Sequence, residues 1–259
     1  MTIVLLPPSE SKITATGHTK LNLNNLAFPE LVGTREQVLA GLIALSQGPS
    51  KKARSALGIS QKQDWEIERN QQLLGAPVAP AWQIYSGVLY DALDPNWLTS
   101  AQLKKINQIT YVQSALFGLV SLDDQIPAYR LSGDCVLPKL GSLAKVWAQR
   151  CTSVLADHDD FIVDLRSGIY VKLGPIPAKA NAVVPKIMQR MSSGPPKVIS
   201  HHNKATKGRI LRAVAMSKIR VTSIESLANV ITTLGADVNI KKPAKNGNPT
   251  IMEVIVAEH

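Results

Sequence analysis

The chain of 259 residues contains little cysteine, few aromatic residues and no long apolar run. Cys135 and Cys151 are its two cysteines and no Cys-x-x-Cys pair occurs, so neither a disulfide framework nor a structural zinc site is expected. No apolar stretch approaches the ~20 residues that a membrane-spanning helix requires. The opening segment is too short for the core of a secretory signal peptide, and no basic residues precede it. These features predict a cytoplasmic protein without a membrane partner.

Acidic residues are also scarce relative to basic ones. Lys and Arg number 29 against 19 Asp and Glu, which gives a formal net charge of +10. Hydrophobic residues make up 45% of the chain, so it is expected to be globular. An excess of positive charge on a globular protein favours polyanions, namely nucleic acid, an anionic membrane or phosphorylated ligands. Charge alone leaves a merely solubilising role equally open.

Apolar runs and turn signals indicate strands that alternate irregularly with helices. Thr2–Leu6, ended by Pro7 and Pro8, predicts a buried strand. The nearly continuous apolar run 111–120 predicts a central strand, in which Gly118 indicates a bulge or a close backbone approach. Further strands are predicted at 161–165, 197–200, 238–240 and 251–256, with an Asn246–Gly247 turn between the last two, and helices from Thr34, from a Ser60–Gln63 capping box to about Leu74, at 143–155, at about 205–219, and from a Thr222–Glu225 capping box to Gly235.

These elements predict an α/β (α+β) fold. We expect a single compact domain over residues 1–259, with a mixed sheet flanked by helices. The sequence has no internal repeat, no low-complexity tract and no obvious linker that would divide the chain.

The segment 197–220 is rich in basic residues and has no acidic residue. At helical spacing Lys204, Lys207 and Arg212 lie near one face, and Gly208 allows a backbone or a ligand to approach closely. The free N–H groups of a helix N-terminus suit a phosphate, so the segment predicts an anion site, with a solvated basic surface as the alternative. The neighbouring His201 and His202 lack further ligands nearby in the sequence, so a metal site is not expected.

Several other candidates lie where predicted strands end, which is a favoured place for ligand groups. Ser9 and Lys12 follow the first strand and offer a hydroxyl and a cation for a phosphate or carboxylate. They could also form a nucleophile–base pair, or belong to an ordinary polar loop. Further along the chain stand Tyr85, Tyr90, Ser114, Tyr129, Arg130, Ser167 and Lys172. Of these, Arg130 could clamp a carboxylate or phosphate in bidentate fashion.

Taken together, these segments resemble the YaaA family of bacterial peroxide-stress proteins. The resemblance covers essentially the whole chain and rests on blocks in a fixed order. The blocks are 5–12, 85–90, 114–118 leading to Tyr129-Arg130-Leu131, Trp147, 165–172, and Ser200 through Lys204, Gly208 and Arg212. The opening Pro7-Pro8-Ser9-Glu10 is typical of one branch of the family, whereas other members begin with Ser-Pro-Ala-Lys.

The resemblance implies a cytoplasmic protein that limits oxidative damage by lowering the available iron. It also implies an α/β fold with a positively charged cleft, and binding of double-stranded DNA through an element like a helix–hairpin–helix. The nearest candidate for that element is 56–60, flanked by Lys51, Lys52, Arg54 and Lys62. An ordinary connection between two helices is the alternative there.

Two hypotheses follow for the function. The first is a stress protein that binds double-stranded DNA in an anion-binding basic cleft, and the second is an enzyme that acts on a small phosphorylated or nucleoside-like substrate in the same cleft. Neither hypothesis requires a cofactor or a metal. The candidate residues for binding DNA or a small anionic ligand are Ser9, Lys12, Tyr90, Ser114, Tyr129, Arg130, Ser167, Lys172, Lys204, Lys207 and Arg212.

Overall fold

A mixed β-sheet forms the centre of the computed structural model, which describes residues 2–198, 201–241 and 247–257. The strands are β1 (Thr2–Leu6), β2 (Ala79–Pro80), β3 (Thr110–Ser114), β4 (Gly118–Ser121), β5 (Gln125–Ile126), β6 (Val136–Leu137), β7 (Gly141–Ser142), β8 (Phe161–Asp164), β9 (Ala182–Gln189), β10 (Lys197–Val198), β11 (Asp237–Lys241) and β12 (Thr250–Val256). The order across the main sheet is β11-β12-β9-β8-β1-β3-β4, and β10 pairs with β9.

Helices flank this sheet. They are α1 (Val32–Gln47), α2 (Ser50–Leu57), α3 (Trp65–Gln71), α4 (Ala81–Ile84), α5 (Val88–Leu93), α6 (Ser100–Asn107), α7 (Leu143–Ala156), α8 (Gly168–Val171), α9 (His201–Met216) and α10 (Ile224–Thr232), with short 3-10 turns at Leu23–Asn25, Pro29–Leu31, Gln61–Gln63 and Pro95–Trp97. The predicted single α/β domain with a mixed sheet is confirmed. No helix in the described part of the chain is long and apolar enough to cross a membrane.

The strand β1 lies in the middle of the sheet, and all five of its residues are buried. It pairs in parallel with β3 on one side and with β8 on the other. The chain therefore reaches β3 on one side of β1 and later returns to the other side at β8. A crevice beyond the carboxyl ends of parallel strands at such a switch point is the usual place for a ligand in an open α/β sheet.

The predicted central strand at 111–120 is wrong. The structure divides this run into β3 and β4, which pair antiparallel around a tight turn. Gly118 has a φ of 71°, and a Cβ atom there would lie 2.8 Å from Cζ3 of Trp147. The indole Nε1 of Trp147 donates a hydrogen bond to the carbonyl of Ala115 at 2.9 Å. The glycine thus marks a close approach, as predicted, and it allows the turn because other residues rarely adopt this φ.

A buried arginine fixes the same turn from the opposite side. Arg35 of α1 is fully buried, and its guanidinium donates to the carbonyls of Phe117 at 2.9 Å, Leu119 at 2.7 Å and Ala27 at 2.6 Å. Backbone carbonyls so arranged stabilise a charge that would otherwise be costly to bury. Since Ser114 begins this turn, Arg35 helps to position a residue of the candidate site.

Two of the predicted helix starts need correction. Thr34 is not the cap of α1, because that helix begins at Val32 and Thr34 is buried within it. The capping box of α10 is formed by Ser223 and Ser226 rather than by Thr222 and Glu225. Serine at the third helical position replaces the glutamate that the sequence pattern favours.

Other local predictions agree with the structure. The Ser60–Gln63 capping box is present, although a 3-10 turn separates it from α3. The pairing of the last two strands is confirmed, while Asn246 of the predicted turn lies outside the described residues. The predicted strand at 197–200 is described only as β10, since residues 199 and 200 also lie outside.

The helix α9 packs closely on α5 through Gly208. A Cβ atom on Gly208 would lie 2.1 Å from the carbonyl oxygen of Leu89 and 2.9 Å from the amide nitrogen of Leu93. Both atoms belong to the backbone, so they cannot move aside as a flexible side chain would. The absence of a side chain at position 208 therefore serves the contact between the two helices.

We expect Gly208→Ala to destabilise the protein by about 1–3 kcal/mol, the usual cost of overpacking. The matched control is Gly33→Ala in α1, where a Cβ atom would have nothing within 4 Å. That control should be neutral or stabilising, because alanine loses less backbone entropy on folding than glycine. Urea unfolding of both variants checks the expectation, and equal free energies of unfolding for the two would contradict it.

Candidate functional site

The candidate site begins where the chain leaves β1 at the carboxyl edge of the sheet. The Tyr90 hydroxyl donates to the carbonyl of Pro7 at 2.9 Å and so holds the start of this segment. Farther along, Lys12 forms an isolated antiparallel bridge with Tyr85. Gly87, with a φ of 95°, lies against Ser9, since a Cβ atom there would be in van der Waals contact with the Ser9 Oγ at 3.4 Å. These contacts place the first candidate segment against the turn before α5.

Three buried hydroxyl groups, which we call the hydroxyl chain, connect β3 to this turn. The Ser114 Oγ lies 2.7 Å from the Tyr129 hydroxyl, which lies 3.0 Å from the Tyr85 hydroxyl. Ser114 also accepts backbone hydrogen bonds from Leu116 at 3.1 Å and from Phe117 at 3.0 Å. A serine oxygen has two lone pairs, so both are occupied by these amides and its proton must point to Tyr129.

This order sets the direction of the whole hydroxyl chain. Tyr129 receives the proton of Ser114 and donates its own to Tyr85, which leaves the Tyr85 proton as the donor at the end. Burial raises the pKa of Tyr85 to about 12, and it raises the pKa of Tyr129 well above its ordinary value. Both phenols therefore stay protonated near neutral pH and act as hydrogen-bond donors.

The amine of Lys12 lies beside the hydroxyl chain. Its Nζ donates to the carbonyl of Ser9 at 2.7 Å and sits 4.1 Å from the ring centroid of Tyr129. Burial lowers the pKa of Lys12 to about 7. The carboxylate of Glu10 opposes this shift, and Arg130 adds to it. A substantial fraction of the amine is thus neutral near pH 7, a state that a nucleophile or a general base requires.

Arg130 lies next to Lys12 and faces a cleft. Its backbone is fixed by Asn70, whose side-chain oxygen accepts from the Arg130 amide at 2.9 Å and whose side-chain nitrogen donates to the Arg130 carbonyl at 2.8 Å. The guanidinium Nη1 forms an ion pair with Glu10 at 2.6 Å. We call the space in front of this pair the Arg130 cleft; its volume is about 390 Å³, and its lining is Glu10, Ser55, Ala56, Leu57, Gly58, Arg130, Ser132, Asp134, Cys135 and Val136.

The segment 56–60, the candidate for the helix–hairpin–helix element, contributes residues 56–58 to the lining of the Arg130 cleft. The helix α2 ends at Gly58, which has a φ of 61°, and the amide of Ile59 donates back to the carbonyl of Arg54 at 3.1 Å. Lys51 and Lys52 on α2 are exposed, whereas Arg54 is paired with Asp64 at 2.7 Å. A Cβ atom on Gly58 would meet nothing within 4 Å, so the tip of this turn is open to an approaching group.

The structure brings together six of the candidate residues around the hydroxyl chain and the Arg130 cleft. They are Ser9, Lys12, Tyr90, Ser114, Tyr129 and Arg130. Sequence reasoning missed Asn70 and the pairing of Glu10 with Arg130. Glu10 could have been noticed because it stands between Ser9 and Lys12, whereas Asn70 has no signal in the sequence.

The remaining candidates lie at the two ends of α8 and on α9. Lys207 is buried and donates to the carbonyl of Arg166 at 3.0 Å, while Arg212 forms an ion pair with Asp94 at 3.0 Å. Both contacts fasten α9 to its neighbours. Ser167, Lys172 and Lys204 are exposed, and the side chains of His201 and His202 lie outside the described residues.

The two cysteines are buried, as the sequence analysis expected of small apolar residues. Burial raises the pKa of both Cys135 and Cys151 to about 11, so the sulfur remains a thiol at neutral pH. The thiolate is the form that reacts with peroxide. Among the side chains that the structure describes, no three His, Cys, Asp or Glu residues are placed to hold a metal ion.

Comparisons with known proteins match this chain to one family. The family model described as peroxide stress protein YaaA matches residues 1–235. A UPF0246 protein of Streptomyces coelicolor is 38% identical over 263 residues, which cover 99% of this chain and 99% of the relative. A UPF0246 protein of Corynebacterium efficiens is 39% identical over 247 residues, covering 94% of this chain and 97% of the relative. An uncharacterized protein of Campylobacter jejuni is 29% identical over 237 residues.

The position of Lys12 leads to a prediction about its titration. In protein labelled with ¹³C at the lysine Cε, one resonance should titrate with a midpoint near pH 7, because the folded protein disfavours the charged amine. Ordinary surface lysines titrate near pH ~10.4. Lys12→Arg should remove the unusual resonance and so assign it. A Lys12 midpoint above pH ~9 would contradict the described burial.

The burial of the thiols leads to a second prediction. Neither Cys135 nor Cys151 should form a sulfenic acid at peroxide concentrations that oxidise a low-pKa cysteine, since almost none of either thiol is ionised at pH 7. Labelling with a sulfenic-acid probe, followed by mass spectrometry, measures this. A peroxidatic enzyme treated in parallel provides the positive control, and rapid labelling of either cysteine would refute the expectation.

Proposed function

The chain belongs to the peroxide stress protein YaaA family, and from this premise we propose that it binds double-stranded DNA at the Arg130 cleft and thereby limits iron-driven oxidative damage. Membership of the family supports a general role in oxidative stress. The binding of DNA and the effect on iron are the proposal.

One observation carries the proposal. The turn that ends α2 and the side chain of Arg130 face each other across the Arg130 cleft, although they are far apart in the sequence. The turn has an open glycine at position 58, and two exposed lysines precede it at positions 51 and 52. Backbone amides, lysines and arginines are the groups that contact phosphates in protein–DNA complexes. This part of the surface can therefore let a phosphate backbone approach closely at Gly58 and contact it with charged side chains.

Counterion displacement links DNA binding to iron. Double-stranded DNA holds a condensed layer of cations, and each phosphate that a lysine or arginine neutralises releases part of that layer. Ferrous iron at the phosphates is one such cation. A protein with a net charge of +10 that covers DNA displaces iron from the surface where hydroxyl radicals formed from peroxide do most harm. This route does not involve the buried thiols.

A specific observation also favours the second hypothesis, an enzyme for a small phosphorylated or nucleoside-like substrate. Burial lowers the pKa of Lys12 to about 7, and its Nζ lies 4.1 Å from the ring centroid of Tyr129, a member of the hydroxyl chain. A neutral amine beside a hydrogen-bond donor is an arrangement that serves general acid–base catalysis. The DNA hypothesis does not require either feature.

We expect the purified protein to bind a fluorescent duplex with an affinity that falls steeply as salt is raised. Arg130→Ala and the double variant Lys51→Ala/Lys52→Ala should weaken binding, and each lost phosphate contact should reduce the salt slope by about 1. Lys204→Ala on α9 shows whether the footprint extends beyond the cleft, and we expect it to weaken binding as well. The matched control is Lys186→Ala, an exposed lysine on β9.

The same titration distinguishes the two hypotheses. Binding that a mixture of nucleotides does not displace supports the DNA hypothesis. Weak binding, or displacement by a single small phosphorylated compound, supports the enzyme and identifies the first substrate to test. Equal affinities for all variants, the control included, would refute a DNA site at the Arg130 cleft.

A further inference from the structure

The backbone of Arg130 is fixed by hydrogen bonds, whereas the donors of its side chain are only partly paired. Asn70, which is fully buried, fixes the backbone of Arg130 with two hydrogen bonds. The guanidinium has only 15% of its side-chain surface exposed, and its Nε is buried without a hydrogen-bond partner among the described residues. A buried donor without an acceptor is destabilising, because it loses its hydrogen bond to water on folding. The pairing with Glu10 therefore leaves part of the hydrogen-bonding capacity of the Arg130 guanidinium unused.

Glu10 is the present acceptor, and its side chain is free to leave. One carboxylate oxygen meets Nη1 of Arg130 at 2.6 Å, while 47% of the Glu10 side chain is exposed. The backbone of this segment is anchored independently, because the Nζ of Lys12 donates to the carbonyls of Ser9 at 2.7 Å and Glu10 at 3.4 Å. The carboxylate can thus swing into solvent without disturbing the loop that carries it.

The charges that line the Arg130 cleft oppose the entry of an anion as long as the Glu10 side chain is in place. With Glu10 in place, the carboxylates of Glu10 and the exposed Asp134 outnumber the single guanidinium. An anion that arrives would meet like charge, which costs free energy when the groups are partly desolvated. Once Glu10 has moved out, Arg130 faces the cleft with Lys12 nearby.

From these features we propose that Glu10 is an internal competitor at Arg130, and that the group which displaces it is a terminal phosphate monoester. The inference rests on the proposed function insofar as both concern the Arg130 cleft. A phosphate monoester has three free oxygens, so two of them can accept from the two Nη groups of Arg130 at once, whereas the carboxylate of Glu10 meets Nη1 through one oxygen. A cleft of about 390 Å³ suits a group of nucleotide size, such as the terminal nucleotide of a DNA strand or a free nucleotide.

The test uses three probes with the full chain: a duplex with a 5′-phosphate, the same duplex with a 5′-hydroxyl, and a deoxynucleoside 5′-monophosphate. Glu10→Gln should tighten binding of the phosphomonoester probes by about three- to tenfold, because a competitor that occupies Arg130 most of the time lowers the apparent affinity by the free fraction. The matched control is Glu36→Gln, an exposed residue on α1 that undergoes the same change of charge and does not line the cleft. That control should change affinity by less than about twofold for every probe, as expected of a distant screened charge.

Arg130 variants complete the test. Arg130→Ala should abolish the preference for the 5′-phosphate over the 5′-hydroxyl. Arg130→Lys keeps the charge but loses the planar donor set, and it should lose most of the same preference. The lysine variant also covers the case in which the alanine variant does not fold. A gain with Glu10→Gln that is confined to the phosphorylated duplex identifies a DNA end as the source of the phosphate, and an equal gain with the nucleotide identifies a free nucleotide.

Two results would overturn the inference. One is an equal response of all three probes to Glu10→Gln and to Glu36→Gln, and the other is a 5′-phosphate preference that survives in both Arg130 variants. The outcome for the proposed function is separate. Salt-sensitive duplex binding that does not respond to Glu10→Gln supports the DNA proposal and refutes the role of Glu10 as a competitor. A gain in nucleotide affinity with Glu10→Gln, without any duplex binding, supports the competitor and refutes the DNA proposal.

Discussion

The parallel pairing of β1 with β3 on one side and β8 on the other is the constraint on which the candidate site depends. Both faces of β1 are covered, so the chain can reach solvent only at the carboxyl edge of the sheet. Its two neighbours end at the same edge, β3 with Ser114 and β8 with Asp164. The segment from Pro7 to Lys12 is therefore forced into a place where polar groups from both neighbouring strands already converge.

Buried charges at this edge of the sheet are held in one arrangement by a network of hydrogen bonds. Asp164 and Arg166 form an ion pair that is almost wholly excluded from solvent, and Arg166 also donates to Gln113 at 2.9 Å and to the carbonyl of Gly174 at 2.7 Å. Lys207 then donates to the carbonyl of Arg166 itself. Buried ion pairs contribute little net stability, but a fully hydrogen-bonded network specifies one arrangement of the strand ends. In this protein that arrangement supports the neighbouring site.

The sequence predicted those parts of the fold that local patterns govern. The strand β1, the helix α7 and the Ser60–Gln63 capping box were predictable because apolar runs, periodicity and caps are local. The run 111–120 was misread because two short buried strands have the same composition as one long strand. Only the positive φ of Gly118, which sequence cannot show, separates the two cases.

The sequence indicated which residue types belong to the candidate site, but not which residues contact one another. A basic helix does not reveal that Lys207 reaches a carbonyl and Arg212 reaches Asp94, while Lys204 stays exposed. Asn70 and Arg130 are 60 positions apart, and Glu10 is farther still from Arg130. Contacts of this range depend on the topology of the whole sheet, so they leave no mark in a local pattern.

The hydroxyl chain has a consequence for the electrostatics of the buried interior beside Lys12. Because its first member is saturated by two backbone amides, the protons of all three hydroxyls point the same way, and their dipoles add. Hydrogen bonds aligned in this manner polarise one another, so the last phenol is a stronger donor than an isolated tyrosine. The arrangement cannot reverse without breaking an amide hydrogen bond. The hydroxyl chain therefore has one fixed polarity, with the Tyr85 proton at its end.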